Sequence, residues 1–141
     1  MNRKQRIIII ALLTATIIPM YLIGKLSLWT YQTKKIIREH KNLILLETDY
    51  QELLNTCRMI LQNSESQTYL EEANWPDIIK NLKPSAVMID PNQRCMDIMA
   101  GGGFYMFGVI ALQKESSFSP NESPGGFHYT KLIDGLWYYE E

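Results

Sequence analysis

The sequence predicts an α+β protein: an N-terminal transmembrane helix, a long amphipathic helix, a short helix, then an antiparallel sheet of about four strands. Three observations carry this reading. Ile7–Gly24 (IIIIALLTATIIPMYLIG) runs eighteen residues without a charge. From there to about residue 62, apolar residues recur at steps of three and four. After Pro84 the apolar runs become short and alternating, punctuated by Gly, Pro and Asn.

As a helix rising about 1.5 Å per residue, Ile7–Gly24 reaches roughly 27 Å, close to the hydrocarbon thickness of a bilayer. A helix also satisfies its own backbone N–H and C=O groups, which lipid cannot do. Arg3, Lys4 and Arg6 precede the run and Lys25 closes it. A secretory signal shares the basic start and apolar middle, but needs small residues one and three positions before its cut. Ala15 has Leu13 upstream and Gly24 has Leu22, so an uncleaved signal anchor is expected instead. Pro19 removes one helical hydrogen bond, which membrane helices tolerate.

The dense cations of the first six residues keep the N-terminus cytoplasmic and place the larger part of the chain outside the cytoplasm. Lys34, Lys35, Arg38 and Lys41 follow on the far side, more dispersed. Tyr21, Trp29 and Tyr31 suit an aromatic belt at the headgroups.

The chain divides into a cytoplasmic tail and anchor (1–24), a membrane-proximal helical linker (25–48) and one small α+β domain (49–141). Charge divides with it. Residues 1–41 hold eight Lys/Arg against one acid, a net +7, and residues 42–141 hold six against fourteen, a net −8. The basic part suits anionic lipid headgroups. The acidic part excludes a nucleic-acid partner.

Within residues 25–62 the stripe Ile36, His40, Leu43, Leu46, Tyr50, Leu53, Cys57, Ile60 reads as one long helix or two joined ones. Asp49 is the N-cap of the second, with Glu52 as its capping-box partner. Asn74 is expected to cap a short helix over Trp75–Leu82, with Pro76 in its first turn. Strands follow at Ser85–Asp90, Arg94–Ala100 and Phe104–Gln113, with Pro91-Asn92-Gln93 as a turn. Phe104–Gln113 is apolar on both faces, hence central and covered by helix on one side. Residues 115–127 read as a surface loop. His128–Asp134 and Leu136–Glu140 form the last strand, with Gly135 as a kink or turn.

No catalytic constellation emerges, and neither a cofactor nor a metal site is assigned. Gly101-Gly102-Gly103 lacks the following helix, Lys and hydroxyl of a phosphate loop, and reads as a turn or bulge with positive φ. His40 and His128 have no partner at a metal-ligand spacing. Asp90 and Asp97 flank a turn. The aromatics Phe104, Tyr105, Trp137 and Tyr139 offer a partner-binding patch, although such residues more often fill the core of a small sheet. Cys57 and Cys95 are the candidate disulfide, from helix to sheet; both positions equally suit small buried side chains.

An apolar N-terminal helix leading into an amphipathic helix and an antiparallel sheet resembles the architecture of type IV pilins and pseudopilins, whose kink Pro19 matches. The chain departs from their pattern: Arg6 precedes the apolar run where they carry Gly, and Ile10 and Ala11 stand where they carry an acid. The last sixty or so residues, with NLKPSAVMID, AGGGFYMFGVIAL and KLIDGLWYYEE, resemble a group of small bacterial membrane-anchored proteins without assigned activity. That resemblance implies the α+β build and nothing about catalysis.

The expectation is a single-pass anchored, non-enzymatic protein that presents a small extracytoplasmic binding domain. Its partners would be the bilayer, through Ile7 to Gly24, and a membrane or envelope protein. The alternative is an envelope-complex subunit of pilin-like architecture.

Overall fold

The computed structural model describes residues 3–64, 68–101, 105–120 and 126–141, the side chains of residues 3–15 and of Thr68 excepted. Helix α1 spans Arg3–Asn42 and continues through Pro19. The chain forms two compact units, Met1–Arg38 and Glu39–Glu141.

In the first unit, Ser27, Thr30 and Thr33 return their hydroxyls to the carbonyls of Gly24, Leu26 and Trp29, so these polar groups are satisfied within the helix. Among the described residues no helix is long and apolar enough to cross a membrane. The predicted span draws half its length from Ile7–Ala15, whose side chains lie outside the described residues.

The second unit begins earlier than position 49. Its first residues, Glu39–Asn42, lead into a π-helical turn, Leu43–Glu47, that buries Ile44. A π-turn adds one residue per turn and shifts the phase of the side chains. The expected stripe therefore breaks: Ile44 points inward, and Leu46 is 78 % exposed. Thr48 is extended (ψ 131), which ends the helix. Thr48 Oγ1 and Tyr50 Oη donate to the freed carbonyls of Leu43 and Leu45 at 2.7 and 2.8 Å.

Helix α2, Tyr50–Gln62, starts as predicted at Asp49, whose Oδ1 accepts from the N–H groups of Gln51 and Glu52, each at 3.0 Å. Its buried stripe is Leu53, Leu54, Cys57 and Leu61. The short helix differs from expectation. Glu72–Asn74 is a 3₁₀ turn, and α3 covers only Asp77–Asn81, entered from an extended Pro76. Asn74 ends one turn instead of capping the next, because Trp75 and Pro76 both take extended ψ.

The sheet has six antiparallel strands in the order β1-β2-β3-β4-β6-β5: β1 Thr68–Tyr69, β2 Ala86–Asp90, β3 Cys95–Met99, β4 Phe107–Leu112, β5 His128–Ile133 and β6 Leu136–Glu140. Two features raise the count above four. A two-residue strand, β1, pairs with β2 at Met88 and Ile89. The C-terminal stretch folds back on itself at Asp134-Gly135, where Gly135 takes φ +90, so one expected strand becomes a hairpin. Between β2 and β3, Asp90 Oδ1 accepts from Asn92 and Gln93 N–H and closes the turn around Arg94 (φ 51).

Strand β4 is buried along its whole length and lies inside the sheet, as its two-sided apolarity predicts. Phe107, Val109 and Ala111 face the helical layer, where His40 meets Phe107 edge-on with ring centroids 6.1 Å apart. Ile110 and Leu112 face the other way, into a cluster with Cys95 and Tyr139 that Phe118, Phe127, Tyr129 and Trp137 cover. At the C-terminal end, Lys41 Nζ donates to both carboxylate oxygens of Glu140, at 2.9 and 2.6 Å, and lies over the Tyr138 ring. Tyr138 Oη donates to the same carboxylate. This link draws residue 41 into the folded unit.

Candidate binding cleft

Arg58 stands on α2 one turn after Leu54, so it leaves the core at the margin of the sheet half-buried. Its Nε donates to the carbonyl of Leu112 at 3.1 Å. Leu112 in turn donates its N–H to Gly135 at 2.7 Å. The arginine thus continues the hydrogen bonding of the sheet where β4 ends. Gly135 provides the space: a Cβ there would lie 2.6 Å from an Arg58 Nη and 3.3 Å from Leu112 O. The positive φ of the hairpin and the seat of the guanidinium both require glycine at this position.

A cleft of about 610 Å³ opens beside this arginine, a size suited to a small organic molecule. Trp137 and Phe118 supply aromatic surface, and Gln51, Gln113 and Ser116 supply neutral polar groups. Lys114 adds a second, exposed cation to Arg58. One acid, Asp134, lies on the lining. Lys131 donates to it at 2.9 Å and, by that bond and its charge, holds the carboxyl below its ordinary range, with Arg58 contributing more weakly. Lys131 also sits 5.9 Å above the Trp137 ring.

Of the aromatic patch read from the sequence, the described members Tyr105, Trp137 and Tyr139 do not come together on one surface. Tyr139 is 3 % exposed and belongs to the core, because residues 137 and 139 point to the sheet face covered by Phe127 and Tyr129. Trp137 pairs with Ile110, whereas Tyr105 lies beyond Phe107 at the opposite end of β4. Three residues of strand, about 10 Å, separate Ile110 from Phe107, and Tyr105 lies two residues further out. Tyr105 is 46 % exposed, and Phe104 lies outside the described residues. Among the described three, Trp137 alone lines the cleft.

The cysteines are free and buried. Cys57 belongs to the inward stripe of α2, whereas Cys95 points with Asp97 to the face covered by Phe118 and Phe127. Burial pushes the Cys57 thiol up to about 12. Burial, with the charges of Asp90 and Asp97, does the same at Cys95. Neither thiol is a nucleophile at neutral pH.

Asp97 sits on the inner strand β3, half-buried, and accepts from Tyr139 Oη at 2.8 Å across β4. Gly108 makes that reach possible: a Cβ there would lie 2.9 Å from the tyrosine oxygen and 2.3 Å from Ile98 O. Burial raises the Asp97 carboxyl to about 6, against the lowering effect of the Tyr139 bond. Burial and the adjacent Asp97 charge raise the Tyr139 hydroxyl as well. The Tyr139 side of the pair lies in a cluster of apolar and aromatic residues, so the pair is a packing element that carries a titratable group. Gly101 is likewise explained by room, since a Cβ there would lie 2.4 Å from the Phe107 ring; Gly102 and Gly103 lie outside the described residues.

Among the described residues no group of three or more His, Cys, Asp or Glu could hold a metal ion. Comparison with known protein-family models, curated proteins and solved structures finds no match. No signal in the sequence singles out Arg58: it is one cation in an amphipathic helix, and its role depends on a hairpin some seventy-five residues later.

Proposed function

We propose that this chain is a single-pass membrane-anchored protein whose C-terminal α+β unit acts by binding outside the cytoplasm. One observation carries the reading. Ile17, Ile18, Met20, Tyr21, Leu22 and Ile23 are all exposed, at 57–74 % of their surface. Nearly consecutive residues step by about 100° around a helix, so this apolar surface circles the helix and leaves no polar face for water. The uncharged run extends back to Ile7, and basic residues bracket it at Arg6 and Lys25. Lipid is the surroundings that such a segment favours, by about 25 cal/mol per Å² of apolar surface removed from water. The cations of the first six residues hold the N-terminus in the cytoplasm.

Fractionation tests the anchor. The full chain should stay with the membranes through a carbonate wash and enter solution only with detergent; recovery of the intact chain in the wash would refute the reading. A compartment-dependent reporter fused after Glu141 tests orientation, and activity only in the cytoplasm would overturn it.

A second reading, a subunit of an envelope complex with pilin-like build, draws on Leu26, Leu28, Trp29 and Tyr31, exposed apolar residues beyond the uncharged run. Crosslinking in intact membranes separates the two. A stoichiometric ladder favours the subunit, and a monomer favours the independent binding module.

A further inference from the structure

We propose that the cleft beside Arg58 binds a small organic carboxylate whose planar or apolar body rests against Trp137. The inference rests on the binding part of the function proposed above and not on the membrane anchor, so a failed fractionation test and a failed binding test are distinct results.

Charge is the first argument. Residues 42–141 carry a net −8, yet the cleft in this acidic unit is lined by two cations, Arg58 and Lys114, and one acid. That acid, Asp134, already receives a hydrogen bond from Lys131. The cleft is thus locally positive against the charge of its own unit, and focuses an anion there.

Preorganisation is the second. Arg58 spends its Nε on Leu112 O, which fixes the side chain and leaves the guanidinium end at Gly135, where only a residue without Cβ leaves room. A guanidinium held in place loses little freedom on binding, and its planar fork matches the two oxygens of a carboxylate. Lys114 supplies an exposed second charge, and Gln51 and Gln113 supply neutral donors and acceptors. Trp137 and Phe118 give the rest of the ligand an apolar floor. The volume, about 610 Å³, accommodates a small molecule.

The test uses the full chain in detergent micelles, with benzoate as probe and amide ¹H–¹⁵N spectra as readout. Benzoate should produce saturable shifts confined to residues around Gly135, Gln113 and Trp137, and benzamide, its uncharged isostere, should not. Arg58→Lys retains charge but loses the fork, and should weaken binding at least about tenfold. Lys114→Gln, at an exposed position, should weaken it several-fold and still counts if the Arg58 variant fails to fold. Inorganic phosphate should compete poorly.

Any of these results would overturn the proposal: no saturable shift at millimolar benzoate, equal shifts with benzamide, an unchanged affinity in a folded Arg58→Lys or in Lys114→Gln, or phosphate displacing benzoate at equal concentration. A tetrapeptide ending in a free phenylalanine carboxylate separates the source of the group. Tighter binding than benzoate would assign the site to a chain terminus and refute the small ligand.

Discussion

Replacing Asp97 by Asn should stabilise the protein at neutral pH, and the gain should vanish in acid. The carboxyl is raised from an ordinary 3.8 to about 6, chiefly by burial. A raised acid binds its proton more tightly when folded, so the ionised form opposes folding above about pH 6. At about 1.4 kcal/mol per unit, the shift corresponds to roughly 3 kcal/mol at pH 7.5. Asparagine keeps an oxygen to accept from Tyr139 but buries an amide N–H₂ with no assigned acceptor, which returns about 1 kcal/mol or more. A net gain of about 1–2 kcal/mol is expected.

As pH falls through about 6 toward 4, the wild type gains stability relative to the variant, because Asp97 takes up its proton in the folded state first. Urea unfolding of both proteins in detergent micelles, followed by tryptophan fluorescence between about pH 7.5 and 4.5, measures the difference. Subtracting the two curves cancels the titration of the other carboxylates. Tyr139→Phe removes the bond that lowers the Asp97 carboxyl, and should move the midpoint of the pH dependence above that of the wild type. A difference between wild type and Asp97→Asn that stays constant across this range would refute the reasoning, as would a variant less stable than wild type at pH 7.5.

Gly108→Ala should cost about 3 kcal/mol or more, or prevent folding, because its Cβ would meet Ile98 O at 2.3 Å inside the sheet; the urea midpoint reads this out. Glu140→Gln should cost under about 1 kcal/mol at neutral pH, since both partners of the Lys41 pair are a third exposed. Lys41 holds the Glu140 carboxyl low, so its contribution is present above the usual carboxylate range and lost as pH falls; the two proteins should converge in acid in the same assay. Cys57 and Cys95, with thiols near 12, should leave a thiol reagent unreacted at pH 8 in the native protein and consume two equivalents after unfolding. An unchanged gel mobility on reduction accompanies that result, and a native disulfide would reverse both.

Local chemistry is legible in the sequence alone. Asp49 announced its helix because a carboxylate two and three residues ahead of free N–H groups is a short-range arrangement. The two-sided apolarity of Phe104–Gln113 announced a covered inner strand, found at Phe107–Leu112, since burial on both faces leaves no position for a charge. Helices followed by an antiparallel sheet followed from periodicity alone. The break at Leu43–Glu47 was hidden, because a π-turn changes phase without changing composition. The hairpin at Gly135 was ambiguous, because kink and turn draw on the same residue and differ in which strands pair.

The candidate site lay further out of reach. Whether Trp137 and Tyr139 make a surface or a core depends on which loop covers their shared face, and Phe118 and Phe127 reach it across the sheet. The cysteines point to different neighbours for the same reason of parity. Composition and period thus specify which residues seek burial and in what kind of element. Which of them meet is set by long-range pairing, where Leu112, Gly135 and Arg58 come together from three distant parts of the chain. No local property of the arginine encodes that meeting, because its acceptor and its space are both supplied by backbone folded elsewhere.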